Sequence, residues 1–260
     1  MTNEITTNET GKEITATPEE LQRYPVLDPA SGQRDMLANM PEPFNHVQSV
    51  MVKAGTGGAT QWRFEDFDGE QVADLITGVV IANCCRWYLW PYDAPGSGAS
   101  PYLVSFDGVT AKLVGDDIGE LDSELIESSK NTDGTYDMKT LHYAQRGSAI
   151  KGKGPRMQRK RFLYILRPQT VVPVCVQTGA GSAINIDRFF NQCPTPCYQT
   201  EVNLALKSIV GAFGSYSQVA ISRNADNVLS SAAAAFMKLN YYEPFQSSFL
   251  LESLNAGASN

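Results

Sequence analysis

Two stretches of this sequence hold the residue types that do chemistry. ANCCRWYLWPYD, residues 82–93, puts two cysteines, an arginine and four aromatic rings into twelve positions. KGKGPRMQRKR, residues 151–161, carries Lys151, Lys153, Arg156, Arg159, Lys160 and Arg161. Thiols suggest a metal or redox centre, rings suggest stacking on bases, and clustered cations suggest phosphate.

Metal is the weakest of these. Cys84 and Cys85 are neighbours on a strand-like run, so their side chains point to opposite faces and make poor joint ligands. Cys193 and Cys197, in CPTPC, have three residues between them but no second well-spaced pair. Buried free thiols are the plainer reading, and no metal or other cofactor is expected. Catalysis has no better support. His46 and His142 sit in no recognisable motif, G-x-S-x-G and H-E-x-x-H are absent, and GTGG and GSGAS lack the lysine and strand-to-helix setting of a phosphate-binding loop. The acidic residues Asp116, Asp117, Glu120, Asp122, Glu124 and Glu127 read as a solvated loop or short helix, not as carboxylates converging on metal. The expectation is a protein that is not an enzyme.

Nucleic acid fits better. A net charge of −7 argues against a protein coated in positive charge, as duplex-packaging proteins are, but leaves room for one basic groove. Glycines and a proline make 151–161 suit a mobile loop that contacts phosphates without reading bases. Beside it, strand alternation puts Trp90 and Tyr92 on the face of Tyr88, away from Trp87, so one face can be core while the other offers rings for stacking. No basic recognition helix or zinc finger is evident, which favours single strands over duplex. The candidate nucleic-acid-binding residues are therefore Arg86, Trp87, Trp90, Tyr92, Lys151, Lys153, Arg156, Arg159, Lys160 and Arg161. The competing readings, rings in the core and a basic loop that merely balances the acidic segment, stay open on sequence alone.

The elements that must position these residues are mostly strands. Alternating apolar residues predict strands at HVQSVMVKAG, in VADLITGVVIANCCRWYLW as either one long strand or a bulged pair with Gly78 at the bulge, and at FLYILRP, VVPVCVQTG, TEVNLALKSI and YSQVAIS. PYLVSFDGVTAKLV predicts a hairpin turning at Asp107-Gly108. GSAINIDRFFNQC predicts a short helix with polar residues capping its start, and the alanines from Ser230 to Tyr241 predict a late helix that Pro244 ends or displaces. Residues 1–45 read as a flexible N-terminal arm with one helical turn at TPEELQRY, 46–250 as a single β-rich domain and 251–260 as a tail. Regular β–α alternation is missing, so a barrel or sandwich is favoured over a doubly wound sheet. No stretch resembles a signal peptide or a membrane span, and five cysteines, an odd number, do not suggest a secreted disulfide framework. A cytoplasmic protein is expected.

WRFEDFDG (62–69), GVVIANCCRWYLW (78–90), SFDG (105–108), FLYILR (162–167) and GSYSQV (214–219) together resemble a diffuse family of phage- and plasmid-borne proteins, some compared with single-stranded DNA-binding proteins of OB type. The resemblance spans about residues 47–222. It implies a mainly β, OB-like, partly open barrel with long loops and a C-terminal helix. It also implies non-catalytic single-stranded DNA binding in phage replication or recombination, in the host-cell cytoplasm, with DNA preferred and a homo-oligomer possible. Members of the family it resembles often carry a C-x-x-C-like stretch after the S-x-D-G hairpin; residues 109–150 here contain no cysteine. LNAGASN also lacks the acidic, Phe-ended tail of many bacterial single-strand binders. The alternative function is a phage structural or assembly protein forming a defined oligomer through its N-terminal arm.

Overall fold

The computed structural model describes residues 6–7, 13–14, 16–28, 48–54, 62–65, 71–91, 100–114, 118–119, 121–150, 154–170, 172–211 and 214–247. Tyr92, Lys151 and Lys153 lie outside them.

In chain order the strands are β1 (Thr6–Thr7), β2 (Glu13–Ile14), β3 (Gln48–Ala54), β4 (Trp62–Glu65), β5 (Gln71–Ala73) and β6 (Leu75–Leu89). They continue as β7 (Leu103–Ser105), β8 (Thr110–Leu113), β9 (Tyr136–Asp137), β10 (Gln158–Leu166), β11 (Val174–Thr178), β12 (Thr200–Gly211) and β13 (Gly214–Val228). The helices are α1 (Pro18–Arg23), α2 (Ser123–Glu127), α3 (Ala180–Gln192) and α4 (Ser231–Met237). Two compact units result, one within Met1–Asn83 and Phe162–Ser248, the other within Cys84–Arg161.

The larger unit is built on an open sheet. Its strands run β5-β4-β3-β11-β10-β6, with β12 against β6 and β13 against β12, so the edges do not meet to close a barrel. The β3–β11 pairing is parallel, Val174 opposite Gln48, while β3–β4, β6–β12 and β12–β13 are antiparallel. This is a mixed α/β fold with a C-terminal helical segment, where the sequence pattern suggested a mainly β barrel. Every second residue feeds one core: Ile76 and Val80, Leu163 and Ile165, Val174 and Val176, Val202 and Leu204, joined by Ile186 of α3. Val79 and Ile81, on the other face of β6, are also buried, which is why that strand reads as a continuous apolar run.

Of the two readings of 72–90, one long strand is the observed one, Leu75–Leu89, and Gly78 marks no bulge in its pairing with β12. It pairs in register with Val202, and a Cβ there would lie 2.3 Å from the carbonyl oxygen of Leu166, so the glycine permits a close approach of backbones. The polar start of α3 also works differently from expectation. Gly179 is the N-cap, and the Ser182 hydroxyl accepts from the Val219 amide at 2.9 Å, tying the helix to β13 instead of capping it. The late helix begins where predicted: Ser230 caps α4 through the Ala233 amide, and a π-helical turn follows at Lys238–Tyr242. Pro244 does not end it, because residues 243–247 continue as helix; the proline sits in the first turn of that segment, where its missing amide donor is tolerated.

Within the segment read as an arm, TPEELQRY does form a helix. Thr17 and Glu20 make a capping box for α1. Glu20 also accepts from the Ser230 amide at 2.5 Å and its hydroxyl at 2.8 Å. Next along, Arg23 grips Glu201 with Nε at 2.7 Å and Nη2 at 2.5 Å, and the Tyr24 hydroxyl donates to the same carboxylate at 2.6 Å. Asn224 and Asn227 donate to its other oxygen. Burial raises the Glu201 pKa, but the donors from Arg23 and Tyr24 more than offset it and hold the carboxyl below its ordinary value.

The smaller unit is a meander, β6-β7-β8-β9, flanked by β10. The hairpin turn is the one the sequence predicted. Asp107 accepts from the Val109 and Thr110 amides at 2.8 and 2.9 Å, and Gly108 has φ of +73°. Asp122 caps the short α2, so part of the acidic segment is helical. Leu89, Leu103, Ile126, Tyr136, Leu141 and Met157 form the core of this unit.

Candidate nucleic-acid interface

The β6–β7 pairing decides which rings face inward. Trp87 lies opposite Ser105, Tyr88 opposite Val104 and Leu89 opposite Leu103. Leu89 and Leu103 are buried in the core, with Trp87 packed against it. Alternation therefore sends Tyr88 to the other face. There its ring stacks on Trp90, centroids 5.6 Å apart and planes inclined by 28°, and both rings remain half-buried.

Trp87 belongs to the inner group. A Cβ at Gly108 would come within 2.7 Å of its ring, so the hairpin turn lies directly on the indole. The Arg159 guanidinium sits 5.7 Å from the ring centroid.

The basic residues of β10 divide between the two faces. Lys160 extends over the outer pair, with Nζ 5.1 Å from the Trp90 centroid and 5.7 Å from that of Tyr88. Among the described residues it has no carboxylate partner, and its burial pulls the amine below its ordinary pKa. Arg159 and Arg161, one residue to either side, turn the other way and donate to Cys85 Sγ. Arg86 covers Phe106 at 5.1 Å, and Arg156 covers Tyr143 at 5.4 Å while its amide donates to Ser148. Arg86, Arg156, Arg159 and Lys160 thus each lie over an aromatic ring, and the contacts are worth ~0.5–2 kcal/mol each depending on solvent exposure.

The sequence set is thus brought together in part. Trp90 and Lys160, with Tyr88, share one group; Trp87, Arg159 and Arg161 share another around Cys85; Arg86 and Arg156 stand on separate rings. Cys85 and Phe106 were missed as members. The signal for Cys85 was its spacing of two from Trp87, matched by the same spacing between Arg159 and Arg161 on the partner strand.

The thiols form no disulfide. Among the described residues no group of three or more His, Cys, Asp or Glu side chains is placed to hold a metal ion. Cys193 lies 3.8 Å from the Thr195 hydroxyl and 3.7 Å from that of Thr200, which also hydrogen-bond to each other. Burial raises its pKa, but hydrogen bonds from Thr195 and Thr200 and the charge of Arg223 bring the thiol below its ordinary value. Among the described residues no helix is long and apolar enough to cross a membrane. Comparison with protein-family models, curated proteins and solved structures returns no match.

Proposed function

We propose that this protein binds single-stranded nucleic acid, DNA in preference to RNA, without chemical turnover. The strand lies along the sheet face that carries Tyr88, Trp90 and Lys160, a mode like that of OB-type binders on an open sheet. The observation that carries the reading is the half-buried Tyr88–Trp90 stack beneath a lysine with no carboxylate partner among the described residues. Two adjacent rings supply π-faces that every base can use, and the amine supplies the charge a phosphate needs. Unpaired bases alone can reach such a platform. Following the family resemblance, the setting is phage replication or recombination in the host-cell cytoplasm.

The division of β10 bounds the electrostatics. A strand lying on one face meets Lys160 but not Arg159 and Arg161, so the basic run does not act as one continuous patch.

A fluorescence titration with labelled poly-dT, poly-U and matched duplex over several salt concentrations tests the reading. The expected result is salt-sensitive dT binding with weak duplex binding. Absence of binding at low salt refutes it. A second reading is an assembly role. A large defined oligomer without affinity for dT in the same titration would select it.

A further inference from the structure

The strand registers of the smaller unit carry its outward face well beyond Trp90. Tyr88 lies opposite Val104 and Val104 opposite Lys112, so the three stand in one row across β6, β7 and β8. Their chain neighbours Leu89, Leu103 and Ala111 are buried in the core, which sends this row to the opposite face. Arg86 and Phe106 share that face two positions along, the guanidinium 5.1 Å from the ring centroid. From β10, on the other side of β6, Lys160 reaches over Tyr88 and Trp90. Lys160 and Lys112 therefore flank the rings, on strands three spacings or ~14 Å apart across the sheet. Among the described residues, the outward positions of β6, β7, β8 and β10 in this unit include no aspartate or glutamate, although the whole chain carries a net charge of −7. An acid within the field of Lys112 is Asp133, which is exposed and hydrogen-bonded to Thr135, so water weakens that attraction.

We propose that this face binds a run of several unpaired nucleotides laid across β6, β7 and β8, with Phe106 and its Arg86 cover as a further stacking position and Lys112 as a second phosphate contact. The inference rests on the single-strand reading and sets its ligand class: an oligonucleotide, not a mononucleotide or one extruded base. Rings held between two amines match a polymer whose phosphates recur with flat bases between them. A mononucleotide has one phosphate and meets one end only. Bases stack on a guanidinium plane as they do on a ring, so Arg86 need not leave Phe106 for the position to work.

The test uses the full chain and compares wild type with Lys112→Gln, Phe106→Leu, Trp90→Ala and Lys207→Gln, the last an exposed lysine of β12 in the other unit. With a short labelled oligo-dT, Lys112→Gln should weaken binding several-fold and flatten the log-log salt slope by ~0.7, the share of one single-strand phosphate. Phe106→Leu should weaken it about fivefold or more and leave the slope unchanged, since it removes a stacking plane and no charge. Lys207→Gln should match wild type in both. Thymidine monophosphate should compete far more weakly, per nucleotide, than unlabelled oligo-dT. If Trp90→Ala weakens binding while Lys112→Gln and Phe106→Leu match wild type, the track ends at β6: the inference is overturned and the single-strand reading stands. Equal competition by thymidine monophosphate also overturns it, in favour of a mononucleotide site. A wild type that binds no oligo-dT removes the single-strand reading and the inference with it. Should Phe106→Leu fail to fold, the salt slope of Lys112→Gln decides.

Discussion

Replacing Trp90 by alanine separates a binding platform from a core ring. The side chain is half-buried and has two defined partners, the Tyr88 ring and the Lys160 amine. Losing an aromatic pair costs ~0.5–1.5 kcal/mol and losing a partly exposed cation–π contact ~0.5–1 kcal/mol. The summed loss of about 1–2.5 kcal/mol is a fraction of the 5–15 kcal/mol typical of a folded domain, so Trp90→Ala should still fold. Binding should suffer separately. A stacked base is worth ~1–3 kcal/mol, but an arriving base must share or displace Lys160, which places the expected loss toward the lower end, about 1–2 kcal/mol or roughly five- to thirtyfold in Kd. Anisotropy with a short labelled oligo-dT at fixed salt reads the affinity, and denaturant unfolding reads the stability. Trp90→Phe keeps a π-face and should restore most of the affinity. Unchanged Kd together with reduced stability would make Trp90 a structural ring and defeat the reasoning.

Lys160 gives the interface a pH signature. Its amine titrates below the ordinary 10.5 because it is buried, and a phosphate nearby would favour the charged form. Affinity should be full below the free protein's value and decline as pH rises through it; Lys160→Arg should remove the decline, which titrations at successive alkaline pH values would reveal. The Glu201 cluster sets a second pH window, in stability. With the folded carboxyl held below its ordinary 4.5, its contribution is fully present above that value and is lost as pH falls through the folded pKa. Glu201→Gln should flatten this part of an acid-unfolding profile. Arg23→Ala leaves the buried carboxylate to Tyr24, Asn224 and Asn227; because Arg23 is 36% exposed, water softens the loss to about 1–3 kcal/mol by denaturant unfolding. Gly108→Ala forces a side chain into positive φ and against the Trp87 ring, and should lower the thermal midpoint through ~1–3 kcal/mol of strain.

Local chemistry was legible in the sequence. Asp107-Gly108 announced its turn, TPEELQRY its helix and the apolar alternation its strands, because each depends on residues a few positions apart. What sequence did not disclose depends on pairing between distant segments. Nothing in VVPVCVQTG signals that it lies parallel to 48–51, which makes the sheet a mixed one. The isolated glycine at 78 reads as a bulge until the Leu166 carbonyl is known to approach it. The basic run looked like one patch because its residues are contiguous. Once 158–161 are strand, contiguity means opposite faces, and the grouping with Cys85, 74 positions from Arg159, follows from sheet pairing alone.

The grip of Arg23 and Tyr24 on Glu201 joins positions 178 and 177 apart. A contact of such sequence separation closes a long loop before it returns any energy, so it is expected to form late in folding. Its strength is then spent on the exit side of the folding barrier. Weakening it should quicken unfolding while leaving refolding nearly unchanged, which would make α1 a brake on the molecule's opening and not a guide to its assembly.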